Sequence, residues 1–226
     1  MINLKQIKKL AKNGDVEAQY TLGKMHYNEE IDDGCMADAE EWLKKAAEQG
    51  HILAAVTLGD CYAHGEHDGE LRDEAEKWYK VAAEKGHPDA QFMMGYMLGP
   101  GSISYTNPEP SNPAESLNWY HKSAEQDYAP AQYALYKIYK YGEIGVKANE
   151  TEAVRWIKKA AEQGHADAQY WLGHMYENGE GVEQSDVEAF RWYTKAAEQG
   201  MEFAELWLES QKRIAMYKKK RLESEK

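Results

Sequence analysis

The sequence predicts an all-α protein, an α/α solenoid of about five stacked helical pairs with single capping helices at both ends. Three observations predict it. A twelve-residue tract returns along the chain: AEEWLKKAAEQG ending at Gly50, AEKWYKVAAEKG at Gly86, AVRWIKKAAEQG at Gly164 and AFRWYTKAAEQG at Gly200, with a weaker copy, SLNWYHKSAEQD, ending at Asp127. Counting from Gly14, the closing residues are spaced 36, 36, 41, 37 and 36 residues apart. No window of the 226 residues reads as a strand. A fixed period of this length marks one supersecondary unit stacked on itself.

Each unit holds two helical patterns. The first opens four residues after the closing residue with a small side chain: Ala18, Ala54, Ala90, Ala131, Ala168 and Ala204. Four positions on stand Leu22, Leu58, Met94, Leu135, Leu172 and Leu208, which completes one packed helix face. The next residue is Gly23, Gly59, Gly95 or Gly173, with Tyr136 and Glu209 breaking the rule. Glycine inside a helix costs about 1 kcal/mol against alanine, so its repetition predicts a close approach by a neighbouring helix. The second pattern carries Trp42, Trp78, Trp119, Trp156 and Trp192, each followed by a pair of small residues such as Ala46-Ala47 or Ala160-Ala161. Tryptophans at fixed repeat positions read as core, each able to bury about 150–250 Å². The closing glycine reads as a helix C-cap with positive φ, and Asp127 is the exception.

These patterns place helices near 3–13, 16–28, 37–49, 51–64, 72–85, 88–98, 113–126, 129–141, 150–163, 166–177, 186–199 and 202–220. Breakers fall at Gly34, Gly69, Pro100-Gly101, Gly145 and Gly179/Gly181. Residues 3–13 read as a lone second-type helix acting as a cap, because IKKLAKNG parallels WLKKAAEQG. The helical pairs then occupy about 14–49, 50–85, 86–126, 127–163 and 164–199 of one domain. A first-type helix without a Trp partner follows at 201–220, and its basic run Lys218, Lys219, Lys220, Arg221 reads as a frayed, solvated tail.

The A-x-x-x-L-G-x-x-Y half and the A-x-x-W-x-x-x-A-A-x-x-G half resemble Sel1-like repeats, a subclass of the tetratricopeptide-type helical pair. The match is sharpest over residues 166–200 and extends from about 11 to about 212. The resemblance implies a right-handed superhelix whose concave groove is lined by first-type helices. It also implies an adaptor or protein-binding module with no catalytic residues. Departures are Tyr136, Asp127, His26 where Tyr62 and Tyr176 stand in other units, and the long third loop.

A second stripe runs beside the core stripe of each first-type helix, and its residues change while their neighbours repeat. It holds Asp167, Trp171, His174 and Asn178 in one unit, Asp89, Met93 and Tyr96 in another, and Pro130, Ala134, Lys137 and Tyr141 in a third. Asp60 stands on it in the second unit, Phe203, Trp207 and Ser210 in the last helix. Variation against a fixed frame is what a recognition surface shows. The binding candidates are therefore Trp171, His174, Tyr96, Met93, Lys137, Tyr141, Asp60 and Trp207. Trp171 fits inter-repeat packing equally well, and Trp207 fits an end-cap contact better than a ligand contact. Tyr105, in the proline-rich loop 99–113, is a further candidate, against a tolerated surface insertion.

The formal charge of −12 argues against nucleic acid and anionic membranes. No stretch approaches the roughly 18 apolar residues of a membrane span. The lysine-threaded start reads as a helix and not a signal peptide, and Cys35 and Cys61 read as thiols of a reducing compartment, which together suggest a cytoplasmic protein. Nucleophile-elbow, zinc-protease, P-loop and Rossmann patterns are missing. His51, His87 and His165 recur just after the closing glycine as N-terminal helix residues. His64 and His67 with Glu66 and Asp68 form the one dense ligand-like cluster, which a polar helix end explains as well. No catalytic residue, metal or cofactor is expected. The expected partner is a protein or peptide, with a basic protein or a toxin among the possibilities. A non-enzymatic scaffold leads, a cytoplasmic immunity or inhibitor protein is the alternative, and a glycan-binding or glycan-cleaving protein comes third.

Overall fold

The computed structural model describes residues 3–30, 36–63, 69–99 and 112–224. Among them are twelve helices and no strand: α1 (Leu4–Lys12), α2 (Val16–Tyr27), α3 (Met36–Glu48), α4 (Ile52–Ala63), α5 (Gly69–Glu84), α6 (Pro88–Met97), α7 (Pro113–Ala124), α8 (Ala129–Tyr141), α9 (Glu150–Glu162), α10 (Ala166–Asn178), α11 (Asp186–Glu198) and α12 (Glu202–Ser224). The even-numbered helices are the first type and the odd-numbered the second, as the repeat predicts. The helices group into two compact units, Met1–Ser123 and Ala124–Lys226. Within each, consecutive helices pack antiparallel in the α/α solenoid manner.

The corner between repeats is three residues wide, four after α7. The closing glycine sits in the left-handed region, at φ +94° for Gly50 and +89° for Gly164. This conformation is open to glycine without a Cβ penalty. Its N–H reaches the third carbonyl back (Gly164 to Ala161, 3.1 Å), and the following N–H reaches the fifth (His165 to Ala160, 3.1 Å). Both bonds satisfy carbonyls that a helix end leaves free. The histidine then opens the next helix: Nδ1 accepts from the N–H three residues on, at 3.0 Å for His51, 3.5 Å for His87 and 3.4 Å for His165. Asp15 does the same through a carboxylate, at 2.8 Å. The histidines are thus N-caps, as read from their position. Asp127 occupies the glycine position at φ +59° and its carboxylate accepts from Gln132 at 3.3 Å.

An N-cap imidazole must be neutral to accept. Burial lowers the pKa of His165 from its ordinary value, Asp167 opposing and Lys137 adding to the shift. The unfolded histidine protonates near about 6.5, while the folded one stays neutral to lower pH. The unfolded chain therefore binds more protons in that window. Stability from this site is complete above about pH 6.5 and is lost as pH falls through the lowered folded value. A His165→Asp variant, which keeps a cap acceptor, is expected to flatten the fall in melting temperature on acidification. An unchanged slope would refute the assignment.

The helical glycines answer the rings opposite. A Cβ on Gly59 would stand 2.7 Å from the Tyr79 ring, one on Gly95 2.8 Å from Tyr120, and one on Gly173 3.1 Å from Tyr193. Gly23 faces Leu43 at 2.8 Å. In the fourth repeat Tyr136 takes the glycine position and Ile157 the ring position, and both are fully buried. The departure at Tyr136 thus coincides with a smaller residue than tyrosine at the ring position.

Tryptophans 78, 119, 156 and 192 are buried as expected, while Trp42 is half-buried. Cations cover their outer faces, with Lys122 Nζ 4.0 Å from the Trp119 ring centre and Lys195 4.4 Å from that of Trp192. Two expectations are corrected. Gly69, read as a breaker, opens α5, a position whose N–H needs no intrahelical partner. The basic run at 218–221, read as a frayed tail, continues α12 to Ser224. Residues 211–224 contain no glycine or proline and are rich in Lys, Arg, Leu, Met and Glu, which favour helix.

Candidate functional site

In the second unit the variable stripe lies along α8 and α10. Lys137 and Tyr141 are exposed, Tyr141 to 58 %. Lys137 stands 5.2 Å from the Tyr133 ring centre, and Tyr133 stacks on the His165 cap at 4.7 Å. Trp171 and His174 are half-buried and meet edge to face, ring centres 5.5 Å apart. Lys140 lies 5.5 Å from the centre of the Trp171 ring and bonds Glu180 at 3.1 Å. His174 Nδ1 faces the other Glu180 oxygen at 3.7 Å, while Asn178 Nδ2 lies 3.2 Å from Nε2 and donates to the His174 carbonyl at 2.9 Å. The amide donor at Nε2 favours the tautomer with its proton on Nδ1, toward Glu180. Trp171, His174 and Lys140 thus form one aromatic and cationic cluster held by a single carboxylate.

In the first unit Tyr96 is 60 % exposed and Met93 half-buried. Trp171, His174, Tyr96, Lys137 and Met93 all keep solvent-accessible surface, as a ligand-facing stripe requires. Two other stripe residues are engaged within the fold. Asp60 accepts from the Tyr79 hydroxyl at 2.7 Å, and burial together with this carboxylate raises the Tyr79 pKa. Trp207 donates Nε1 to Glu177 at 2.8 Å, and its ring lies 4.2 Å from Tyr193. Both contacts tie neighbouring helices together. Tyr105, the His64/His67 cluster with Glu66 and Asp68, and Cys35 lie outside the described residues.

Sequence reasoning missed one recurring buried group and one pair. Gln19, Gln91, Gln132 and Gln169 each donate Nε2, at 3.1 Å, to a last-turn carbonyl of the preceding second-type helix: Ala11, Ala83, Ala124 and Ala161. Their signal was present in the recurring Ala-Gln dipeptide, with Ala55 replacing glutamine in the second repeat. Lys140 and Glu180 had no such signal, because Glu180 lies in a loop outside the helical period.

The groups at hand suit recognition better than chemistry. No cluster of three or more His, Cys, Asp or Glu that could hold a metal occurs among the described residues. Burial, with Asp60 and Glu40 nearby, pushes the Cys61 thiol up to about 12, far from the thiolate that nucleophilic chemistry uses. No helix among the described residues is long and apolar enough to cross a membrane.

A stack of helical pairs presenting varied side chains on a constant frame is the architecture of an interaction scaffold. The Sel1 repeat model matches residues 16–51, 52–87, 88–128, 129–165 and 166–201, and the chain belongs to the Sel1 repeat family. These are the five units read from the sequence, shifted by about two residues. Proteins of this family mediate protein–protein interaction and are in general non-enzymatic. Among solved structures, c5321, a protective antigen of uropathogenic Escherichia coli strains with an SLR fold, is 35% identical over 92% of this chain and 43% of its own, at a TM-score of 0.79. The present chain thus spans less than half of that relative. A Sel1 repeat protein from Oxalobacter formigenes is 28% identical over 90% of this chain and 76% of its own, at 0.71. The immunity protein PA5088 from Pseudomonas aeruginosa, 23% identical over 81% of this chain and 67% of its own at 0.52, shares the fold. No curated protein matches the chain.

Proposed function

We propose that this protein is a non-enzymatic scaffold that holds a protein or peptide segment on the exposed face of its first-type helices. Trp171, His174, Lys137 and Tyr141 are the contacts in the second unit, and Tyr96 and Met93 those in the first. The observation that carries this reading is the accessibility of large, variable side chains on helices whose other faces are buried by repeated ones. Trp171 supplies apolar area and a π face at low entropic cost, the property that makes tryptophan a frequent anchor in interfaces. Its indole is preoriented by His174 and Lys140, so little ordering is left for the moment of binding.

The charge of −12 favours a second reading, a cytoplasmic immunity or inhibitor protein that occludes a basic enzyme or toxin. Acidic inhibitors associate fast with basic surfaces and lose that advantage in salt. The two readings separate in one experiment. The chain immobilised as bait in lysate of its source is expected to retain a stoichiometric partner that a Trp171→Ala/His174→Ala variant loses. A partner whose own activity disappears in the complex, and whose binding falls steeply with salt, supports the inhibitor. A partner that keeps its activity supports the adaptor. Retention by the double variant would move the contact off this face and overturn the assignment.

A further inference from the structure

The glycine position of the first-type helices holds Gly23, Gly59, Gly95 and Gly173, but Tyr136 in α8. Tyr136 is 1 % exposed, and its hydroxyl makes no hydrogen bond of good geometry among the described residues. A buried hydroxyl in that state costs stability, so packing alone would favour phenylalanine. The group beside it is Lys140, one helical turn on along the same face, with Nζ 5.7 Å from the Tyr136 ring centre. Burial works to lower the Lys140 pKa, but Glu180 and the Tyr136 hydroxyl outweigh it and hold the ammonium above its ordinary value. The same ammonium lies 5.5 Å from the Trp171 ring centre. Lys140 is thus placed between two rings, with Glu180 at 3.1 Å as its counter-ion.

The next repeat offers a comparison. Four residues after the glycine position stands Lys140 in α8 and Glu177 in α10. Each reaches the tryptophan of the next first-type helix, Trp171 and Trp207, which share a column of their own. Each also has a tyrosine beside it. Glu177 accepts from the Tyr193 hydroxyl at 2.8 Å on one oxygen and from Trp207 Nε1 at 2.8 Å on the other. Tyr193 is the ring-position residue of α11. In the fourth repeat that position is Ile157, which has no hydroxyl, and a tyrosine stands at the glycine position instead. The two arrangements differ in what they do to the indole. Glu177 binds the N–H edge of Trp207 and ties it into the fold, whereas Lys140 lies against Trp171 and leaves it half-exposed.

We propose that Tyr136 is a positioning residue of the recognition face: from a place no partner can reach, it fixes Lys140 against Trp171 and so sets the orientation in which the indole meets its ligand. This rests on the reading of Trp171 as a contact. It also gives the departure from glycine at this position a reason that packing does not.

The test is nuclear magnetic relaxation of the seven indole N–H groups of the full chain with no partner present, the Trp171 signal being assigned by its loss in Trp171→Phe. In Tyr136→Phe the order parameter of the Trp171 indole is expected to fall by about 0.1–0.2. That of Trp156 is expected to hold, and the melting temperature to hold or rise, because a buried hydroxyl without a hydrogen bond has been removed. Lys140→Met is expected to loosen Trp171 in the same way, and Lys140→Arg, which keeps a cation at the ring, to preserve its order. In the bait experiment above, Tyr136→Phe is expected to retain about two- to tenfold less partner, the cost of ordering one large side chain at the moment of binding. An unchanged Trp171 order parameter in Tyr136→Phe, or equal loosening of Trp171 and Trp156, would overturn the positioning role. A loosened Trp171 with undiminished retention would instead overturn the reading of Trp171 as a contact.

Discussion

Gly59→Ala is expected to destabilise the protein by up to about 2 kcal/mol, against the sign that helix propensity predicts. Alanine in a helix interior is favoured over glycine by about 1 kcal/mol, so an exposed glycine would gain from the change. Here the new Cβ would sit 2.7 Å from the Tyr79 ring, and one of the two must move. The ring is buried and its hydroxyl is held by Asp60 at 2.7 Å. Forcing an extra carbon into a filled core costs about 1–3 kcal/mol, which exceeds the propensity gain. The discriminating measurement is a double-mutant cycle by urea unfolding. In a Tyr79→Leu background the same Gly59→Ala change is expected to be neutral or stabilising. A stabilising effect in the native background would mean that the interface has slack and that the glycine has another reason.

The fourth repeat departs from this pairing. Tyr136 and Ile157, both buried, stand at the positions that Gly173 and Tyr193 take in the next repeat. The sequence displayed both columns, yet only the glycine column was legible. Its partner column, Leu43, Tyr79, Tyr120, Ile157 and Tyr193, follows the tryptophan directly and looks merely apolar. A helical period tells which residues face inward. Which of them meet across an interface depends on axial offset, and that is visible only once the helices are docked. The repeat frame, the cap histidines and the core tryptophans were legible because each is enforced by local geometry recurring every 36 or so residues. The stripe was legible as a place and not as a set of contacts. Asp60 and Trp207 share its register with Trp171 but are bound to Tyr79 and Glu177. Glu180, which organises Lys140 and His174, belongs to a loop with no period to betray it.

The largest effect is expected from the frame itself, and it provides the control that the recognition face needs. Trp156 is 2 % exposed, the largest of the fully buried side chains, with Arg155 at 5.0 Å and Lys159 at 5.1 Å from its ring. Removing a buried indole forfeits its transfer energy and leaves a cavity that neighbouring helices fill only in part, a loss of about 3–5 kcal/mol. Stability of ordinary domains is about 5–15 kcal/mol, so Trp156→Ala is expected to lower the urea midpoint sharply and to leave little margin at 37 °C. Trp171→Ala removes the same side chain from a half-exposed position, where less area returns to water and no closed cavity forms. It is expected to cost on the order of 1 kcal/mol and to leave the far-ultraviolet spectrum unchanged. The two tryptophans therefore separate frame from face: one substitution strongly destabilises the fold, the other leaves a protein of near-native stability whose binding can be measured. Equal losses of stability would make Trp171 a member of the core. The recognition reading would then have to rest on Lys137, Tyr141 and Tyr96, whose exposure no such result would alter.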